Sequence, residues 1–381
     1  MNFNFSAEDA SLMESVRKFV DERVEPQMAA IEKSNKMSEE LLQEAAALGL
    51  FGISIPEEYG GSDLSRLSCV LVHQMLGRSG FSFAGSLAAH TGIGSDSLVA
   101  IGTAEQKRRY LPRMASGEIH AALALTEPEA GSDAGSLKTT ATRRGDRYYL
   151  NGVKHFITGI PHAGLITVVA RTGGPGSKGL SVFLVEPTFP GFRVGGYWDT
   201  MGNRGAPVAE LIFEDCEVPE DNRLGPEGAG WNSVTKTLSR SRPLIAGRCV
   251  GSCERLIEIS TEYAKNRKQF GQAIGEFQAI QFMLADMKTR TEAARWLTYH
   301  AATLADENRA NMETVAMAKV FATEALDFAA DTALQIQGGT GYISGNPVER
   351  FYRDARAVRI YEGTSEIQRR LIGKAMLREG K

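Results

Sequence analysis

The residue with the clearest chemical potential is Glu362, which lies in the segment RIYEGTSEIQ (residues 359–368). Ser365 and Gln368 have the S-x-x-Q spacing of a capping box, so we expect a helix to begin at Ser365. Glu362 then lies on the preceding loop, where Gly363 permits close approach of another molecule to the backbone. A lone carboxylate among apolar neighbours is suited to act as a general base. In isolation, however, a solvated loop glutamate would have the same sequence.

Three further segments combine groups that bind ligands. Residues 125–133 (LTEPEAGSD) supply hydroxyls, backbone donors and a glycine turn, as hydrogen bonding along one edge of a flat heteroaromatic ring requires. Residues 156–158 (FIT) place an aromatic and a hydroxyl on the same side of a strand. Residues 267–271 (RKQFG) place a cation and an aromatic at a helix end, where a C-terminal cap would also put them. Each segment also fits an ordinary structural turn or cap.

Several common sites are excluded by missing motifs. No G-x-G-x-x-G fingerprint follows a strand and no P-loop is present, since the glycine clusters at 173–176 and 338–341 fit neither pattern. A nucleotide cofactor would have to be held in another way. The six histidines are scattered, so we expect no metal site. A G-x-S-x-G elbow is also missing, which argues against an α/β-hydrolase.

A chain of 381 residues is longer than a domain with one simple core, so we expect two or three domains. Hydrophobic residues make up 43% of the chain, which is typical of a globular protein. A net charge of −3 without a basic run argues against nucleic acid as a partner. The sequence contains no apolar run long enough to span a membrane and no signal-peptide pattern. The four cysteines have neither zinc-type nor secreted-domain spacing. We therefore expect a reduced, cytoplasmic protein with no membrane insertion.

Hydrophobic periodicity divides the chain into three parts. Residues 1–119 are predicted to be helical, with Ser38 as an N-cap and a helix over 104–114 that stops before Gly117. Residues 120–230 contain short strand candidates at 165–171, 180–186 and 208–214, separated by Gly, Pro and Asp turns. We also expect a hairpin over 148–158 with Asn151-Gly152 as its turn. This middle part is predicted to form a small antiparallel β-barrel or sandwich.

Helical periodicity returns over residues 231–381. Apolar residues step by three or four along two successive segments, from Met283 to Leu304 and from Ala318 through Phe321 to Ile336. Long helices joined by short links indicate an antiparallel bundle. The expected fold is therefore α+β, with a helical domain, a β domain and a helical bundle in that order.

Taken together, the motifs resemble those of the acyl-CoA dehydrogenase family over essentially the whole chain. The resemblance is carried by residues 125–133, 156–158, 213–215, 218–219, 267–271, 277–278, 335–339 and 361–364. Each segment is weak alone, but their order and spacing are specific. The resemblance implies an N-terminal helical domain, a central β domain and a C-terminal four-helix bundle. The family binds FAD without a Rossmann fold, which agrees with the missing glycine fingerprint.

The resemblance implies roles for individual residues. It implies FAD binding by Leu125, Thr126, Gly131, Ser132, Phe156, Ile157, Thr158, Arg267, Phe270, Phe277, Gln278, Gln335, Ile336, Gly338, Gly339, Thr364 and Glu366. For the acyl thioester it implies contacts with Ser132, Arg242, Tyr361 and Gly363. Glu362 would remove the α-proton while a β-hydride passes to flavin N5, which yields a trans-2-enoyl thioester.

The resemblance also implies partners. Acyl-CoA is the expected substrate, an electron-transfer flavoprotein the expected acceptor, and a homotetramer built as a dimer of dimers the expected assembly, with part of each FAD site supplied by the neighbouring subunit. The same chemistry on a carrier-protein thioester, and an oxidase that reacts with oxygen, are alternatives.

Two departures from the family pattern leave the acyl group open. Residues 206–208 (APV) stand where many members carry Ser-Asp-Thr, and Ser239 stands where an acidic residue is common. The glycines of residues 90–94 (HTGIG) lie near the expected base of the acyl pocket, where they could make room for a larger acyl group. A plain helix-entry loop would have the same sequence.

Overall fold

The N-terminal part of the protein is a layer of short helices. A computed structural model describes residues 5–377. Ser38 caps its helix as expected, because its Oγ accepts the N–H of Leu41, and a capping box at Thr103 and Gln106 starts the last helix of the layer. The helices are α1 (Ala7–Phe19), α2 (Met28–Ser34), α3 (Glu39–Ala47), α4 (Arg66–Leu76), α5 (Ser82–Ala88), α6 (Asp96–Ile101) and α7 (Ala104–Ala115). A π-helical segment, Ala89–Gly94, joins α5 to α6.

The central part is one eight-stranded sheet in the order β6-β7-β3-β2-β4-β5-β8, with β1 paired to β4. The β1–β4 pairing is parallel, β2 meets β4 in parallel at one residue pair, and the other pairings are antiparallel. Every residue of β5 is buried, because one face packs against helical residues and the opposite face, with Phe183 and Val185, packs against other strands. The strands are β1 (His120–Ala124), β2 (Thr140–Arg144), β3 (Arg147–Thr158), β4 (Ala163–Arg171), β5 (Leu180–Val185), β6 (Phe192–Trp198), β7 (Val208–Pro219) and β8 (Arg223–Leu224).

The hairpin predicted at Asn151-Gly152 is wrong, because both residues lie inside the continuous strand β3. The Asn151 amide instead joins two strands, with its Nδ2 donating to the Asp215 carboxylate and its Oδ1 accepting the Asp215 N–H at 2.8 Å. Gly152 lies at a register shift, where a Cβ atom would lie 2.5 Å from the Thr139 hydroxyl. The glycine thus serves close strand packing, and the real turn falls at Gly145-Asp146.

The C-terminal part is a bundle of long helices whose apolar faces form one core. Its third long helix buries Ala318, Ala325 and Ile336 as predicted, but Phe321 was wrongly assigned to that stripe and is 38% exposed. The elements are α8 (Gly230–Asn266), β9 (Lys268–Gln269), β10 (Gln272–Ala273), α9 (Gln278–Asp306), α10 (Met312–Gln337), α11 (Pro347–Val358) and α12 (Ser365–Met376). The short helices α11 and α12 both pack on α10 and complete the bundle.

Two kinds of feature, a membrane-spanning helix and a cluster of metal ligands, are absent from residues 5–377. No helix in this range is both long and apolar enough to cross a membrane. No group of three or more His, Cys, Asp or Glu side chains in the same range is arranged to hold a metal ion. All four cysteines are buried free thiols.

Candidate active site

Glu362 lies on a tight loop between α11 and α12. Its φ is +51°, a left-handed conformation that is unusual for a residue with a side chain, and Gly363 follows with φ +97°. Helix α12 begins at Ser365 as expected, but its cap is Thr364, whose hydroxyl accepts the N–H of Ile367. The capping box predicted from Ser365 and Gln368 is therefore wrong, because the Gln368 amide turns back to the loop carbonyls instead.

Donors from three helices converge on the backbone carbonyls of this loop. Arg242 Nε of α8 donates to the Glu362 carbonyl at 3.2 Å, and Gln368 Nε2 of α12 donates to the Gly363 carbonyl at 3.0 Å. Lys319 Nζ of α10 donates to the carbonyls of Gly363 at 2.9 Å and Val358 at 2.7 Å. Burial lowers the pKa of Arg242, and the nearby Glu362 carboxylate opposes that shift. The loop is thus fixed by hydrogen bonds on both sides of Glu362.

The Glu362 carboxylate has its own partner, because Ser241 Oγ of α8 donates to Glu362 Oε2. Ser241 also lies beside the π-helical segment, since a Cβ on Gly92 would lie 3.6 Å from the Ser241 Cβ. Tyr361 packs half-buried against the bundle core on the other side of the loop. The carboxylate therefore lies where the bundle meets the N-terminal helical layer.

Leu125, Thr126, Gly131 and Ser132 lie on the loop that follows β1. A buried ion pair anchors this loop, because Lys154 Nζ lies 2.8 Å from Glu127 Oε1 and donates to the Leu125 carbonyl at 3.0 Å. The Glu127 carboxylate also accepts the backbone N–H of Lys138 and Thr139. Burial lowers the pKa of Lys154 to about 8, against the effect of Glu127. The ion pair fixes the loop, and no residue in the range 5–377 hydrogen-bonds to the hydroxyls of Thr126 and Ser132.

Phe156, Ile157 and Thr158 end strand β3 beside this loop, since the N–H of the preceding His155 donates to the Thr126 carbonyl at 2.9 Å. Phe156 has φ +59° and its ring is 59% exposed, next to Trp198 at a centroid distance of 5.7 Å. Ile157 is buried. Gly159 follows, and a Cβ there would lie 3.3 Å from Ala89 in the π-helical segment. We call residues 125–132 and 156–158 the ring-edge group. This group and Ser241, the hydrogen-bond partner of Glu362, therefore both lie near the segment Ala89–Gly94.

The remaining predicted cofactor residues lie at the far end of the bundle. Arg267 ends α8, Phe270 forms the tip of the β9–β10 turn, Phe277 and Gln278 start α9, and Gln335, Ile336, Gly338 and Gly339 end α10. The Tyr263 hydroxyl ties the ends of α8 and α10 together through the Gln337 carbonyl at 3.2 Å. The 26 residues of α8 from Ser241 to Asn266 span roughly 38 Å. One chain therefore does not bring this distal group to Glu362. The other two predicted cofactor residues, Thr364 and the exposed Glu366, do lie beside Glu362.

Sequence reasoning missed three site residues, Ser241, Lys319 and the Lys154 partner of Glu127. A signal existed for Lys319, because its spacing of four from Val315 and three from Ala322 places it among buried positions of α10. Ser241 carried no comparable signal, since its partner is more than a hundred residues away in the chain. Gln368 was recognised, but in the wrong role.

Comparisons with known proteins place the chain in a family. Three family models match it, described as "Acyl-CoA dehydrogenase, N-terminal domain" over residues 6–118, "middle domain" over 122–216 and "C-terminal domain" over 228–377. The chain belongs to the acyl-CoA dehydrogenase family. It is 42% identical over 371 residues to "Acyl-CoA dehydrogenase" of Bacillus subtilis (strain 168), a match that covers 97% of this chain and 98% of that relative.

Solved structures of the family share the fold. A chain from a structure described as an electron transferring flavoprotein of Acidaminococcus fermentans matches with a TM-score of 0.97 and 40% identity, covering 99% of this chain and all of that one. The prolyl acyl carrier protein oxidase AnaB matches with a TM-score of 0.94 and 36% identity, covering 98% of this chain and all of that one. These matches confirm both the predicted family and the predicted order of helical, sheet and helical parts.

Proposed function

We propose that this protein catalyses the FAD-dependent α,β-dehydrogenation of an acyl thioester, with Glu362 as the base. The observation that carries this function is the carboxylate of Glu362, which projects from a left-handed turn held by Arg242, Lys319 and Gln368. A base on so constrained a loop is pre-positioned, and positioning accounts for much of the rate in proton abstraction.

The residues of the ring-edge group suit FAD. The hydroxyls of Thr126, Ser132 and Thr158 make no hydrogen bond to other residues in the range 5–377, so they are available to a ligand. Space is available at Gly131, where a Cβ atom would meet nothing within 4 Å. The exposed Phe156 ring offers an apolar face beside these donors. FAD would supply the acceptor for a hydride, and Thr126, Ser132, Phe156 and Thr158 would hold its ring system.

The chemistry left to the chain is proton transfer. The α-hydrogen of a thioester is only weakly acidic, so its removal needs an oriented base in a site that excludes water. Glu362 would receive that proton, and bound FAD would supply the acceptor for the β-hydride, which leaves a trans C=C bond in the product. Ser241 orients one carboxylate oxygen, and Tyr361 with the bundle core shields the loop.

The thioester arm has a suitable path near Ser132. A cavity of about 870 Å³ is lined by Ser132, Lys138, Arg171, Trp231 and Arg370, among others. Lys138 pairs with Glu129 and Arg171 donates to four backbone carbonyls, so Arg370 is the cation of this lining that has no partner within residues 5–377. Arg370 favours the phosphate of a pantetheine arm, which CoA and carrier proteins share. We take acyl-CoA as the substrate because of the relative in Bacillus subtilis, with a carrier-bound acyl group and reaction with oxygen as alternatives favoured by the similarity to the carrier-protein oxidase.

The distal group supports a proposal on assembly and partners. Because Arg267, Phe270 and Gln278 lie roughly 38 Å along α8 from the base, they would complete the FAD site of a neighbouring subunit. A homotetramer arranged as a dimer of dimers would satisfy all sites. An electron-transfer flavoprotein is the proposed acceptor, in line with the similar chain from Acidaminococcus fermentans. The four buried free thiols are compatible with the cytoplasm as the proposed location.

Anaerobic bleaching of the flavin by acyl-CoAs of increasing length tests the function directly. We expect rapid bleaching by at least one acyl-CoA and a loss of roughly 10³-fold or more in Glu362→Gln, in which the base is absent but its shape is kept. Glu105→Gln, at an exposed position of α7, is the matched control and should bleach at the wild-type rate. A Glu362→Gln protein that bleaches as fast as the wild type would sink the proposed role of Glu362.

The same assay separates the alternatives. Bleaching by an acyl group on a phosphopantetheinylated carrier protein, with none by any acyl-CoA, would establish the carrier-bound substrate. Rapid reoxidation of the reduced flavin by oxygen would establish the oxidase, whereas slow reoxidation by oxygen and rapid reoxidation by an electron-transfer flavoprotein would establish the dehydrogenase.

A further inference from the structure

Lys319 is a fully buried lysine near the centre of the bundle. Its ammonium donates to two backbone carbonyls, those of Val358 at 2.7 Å and Gly363 at 2.9 Å. Within residues 5–377 it forms no ion pair. The nearest titratable groups on the neighbouring elements are Cys249 and Arg242 on α8, Glu324 on α10 itself and Glu362 on the loop.

Packing alone does not account for this lysine. An ammonium buried without a carboxylate loses its hydration and regains only part of that free energy from two carbonyls. Val315 and Ala322, on the same face of α10, are buried and apolar, so this face belongs to the hydrophobic core. Burial lowers the pKa of Lys319 to about 8, so the cost of keeping the charge is visible. The reason for a lysine at this position must therefore lie in the two carbonyls that its ammonium binds.

Its two acceptors lie on either side of Glu362. The Val358 carbonyl belongs to the last turn of α11, where helix carbonyls lack partners within the helix. The Gly363 carbonyl directly follows the base. Between them the chain adopts two successive left-handed residues, a conformation that persists only when its surroundings hold it. Lys319 joins the two ends of this turn and opposes its opening.

We propose that Lys319 is a positioning residue that closes the turn around Glu362 and thereby fixes the direction of the carboxylate. It touches no reacting atom and acts through the backbone of the loop. This role rests on the proposed function, because it needs Glu362 to be the base.

The test is a double-mutant cycle on anaerobic flavin reduction by the best acyl-CoA substrate. Lys319→Met keeps the length of the side chain but removes both donors and the charge. We expect the limiting rate to fall about 100-fold, the effect of an ångström-scale misplacement, while the half-saturating concentration changes less than about threefold. In a Glu362→Gln background the same change should alter the residual rate by less than about twofold, since nothing remains to be positioned.

Two further variants guard the interpretation. Lys319→Gln keeps a neutral donor group and should lose about tenfold in rate with the same dependence on Glu362. Lys288→Met, an exposed lysine of α9, is the control and should leave rate and FAD content unchanged. FAD content is measured for every variant from the ratio of flavin to protein absorbance.

The outcomes separate this role from the proposed function. A slow Glu362→Gln protein with a fully active Lys319→Met protein would overturn the positioning role and leave the function intact. An equal loss in both backgrounds would also overturn it, because Lys319 would then act independently of the base. A fully active Glu362→Gln protein would remove the proposed function, and the role of Lys319 with it.

Discussion

At the scale of single residues, the hydroxyl of Ser241 is the group that contacts the proposed base directly. Hydrogen bonds to charged groups are worth about 1.5–3 kcal/mol, so losing this one lets the carboxylate turn away from the productive orientation. We expect Ser241→Ala to lower the limiting rate of flavin reduction roughly tenfold, which corresponds to about 1.4 kcal/mol. Ser241→Thr keeps the hydroxyl and should recover most of that rate.

Stopped-flow absorbance of the flavin measures this effect. Ser260→Ala is the matched control, because Ser260 lies further along α8, is buried and has no partner for its Oγ in the part of the chain that the structure describes. A Ser241→Ala protein that reduces its flavin at the wild-type rate would contradict a role for the hydroxyl in orienting Glu362.

The sequence predicts the residues of the loop better than the residues that hold it. Glu362, Gly363 and Arg242 lie in short segments whose composition is unusual, and the structure places them within one network. Lys319 and Ser241 reach that network from distant helices. Such long-range partners depend on helix packing, which local periodicity describes only in outline.

At the scale of elements, the β9–β10 hairpin is an exposed projection whose tip needs a partner. Phe270 and Gly271 both have positive φ, as a two-residue turn requires, yet Phe270 is 92% exposed. We expect Phe270→Asn, which tolerates the same backbone conformation, to weaken subunit association and to lower FAD retention at least tenfold, because the aromatic contact proposed with a neighbouring subunit would be lost.

Sedimentation velocity and the flavin-to-protein ratio after gel filtration measure these two effects. Leu48→Asn removes an exposed apolar residue that lies outside the predicted cofactor group and should change neither quantity. Unchanged mass and FAD content in Phe270→Asn would mean that the hairpin does not reach a second subunit.

The strand Arg147–Thr158 shows where prediction of elements from sequence fails. Asn-Gly is a strong local turn signal, and the sequence prediction followed it. In the folded protein tertiary contacts determine the conformation of both residues, since Asn151 hydrogen-bonds to Asp215 and Gly152 leaves space for Thr139. The cap at Ser38 was predicted correctly, because its partner Leu41 lies in the same turn and nothing distant competes for this hydrogen bond.

At the scale of the whole molecule, Asp354 joins the three parts of the protein. This fully buried carboxylate of α11 accepts the N–H of Phe81 from the helical layer at 3.0 Å and the N–H of Asn203 from the β part at 2.6 Å. Burial raises the pKa of Asp354 to about 6, although both backbone donors oppose that shift. The junction of all three parts therefore carries a titratable group.

The raised pKa has a definite sign in the stability of the protein. The folded state holds the proton up to about pH 6, whereas the unfolded chain releases it near its ordinary pKa of about 3.9. The folded state thus binds more protons between these values, and this group's contribution to stability falls as pH rises through that window, by about 3 kcal/mol in total. Asp354→Asn cannot titrate and should lack this term.

The difference in melting temperature between wild type and Asp354→Asn isolates the term from all other ionisable groups. We expect that difference to favour the wild type increasingly as pH is lowered from 7 to 4.5, because the wild type gains a proton at the junction and the variant does not. Asp331→Asn, at an exposed position of α10, should give a difference that does not change with pH. A flat or opposite trend for Asp354→Asn would mean that Asp354 stays ionised in the folded protein, and the three parts would then be joined by a charge rather than by a neutral acid.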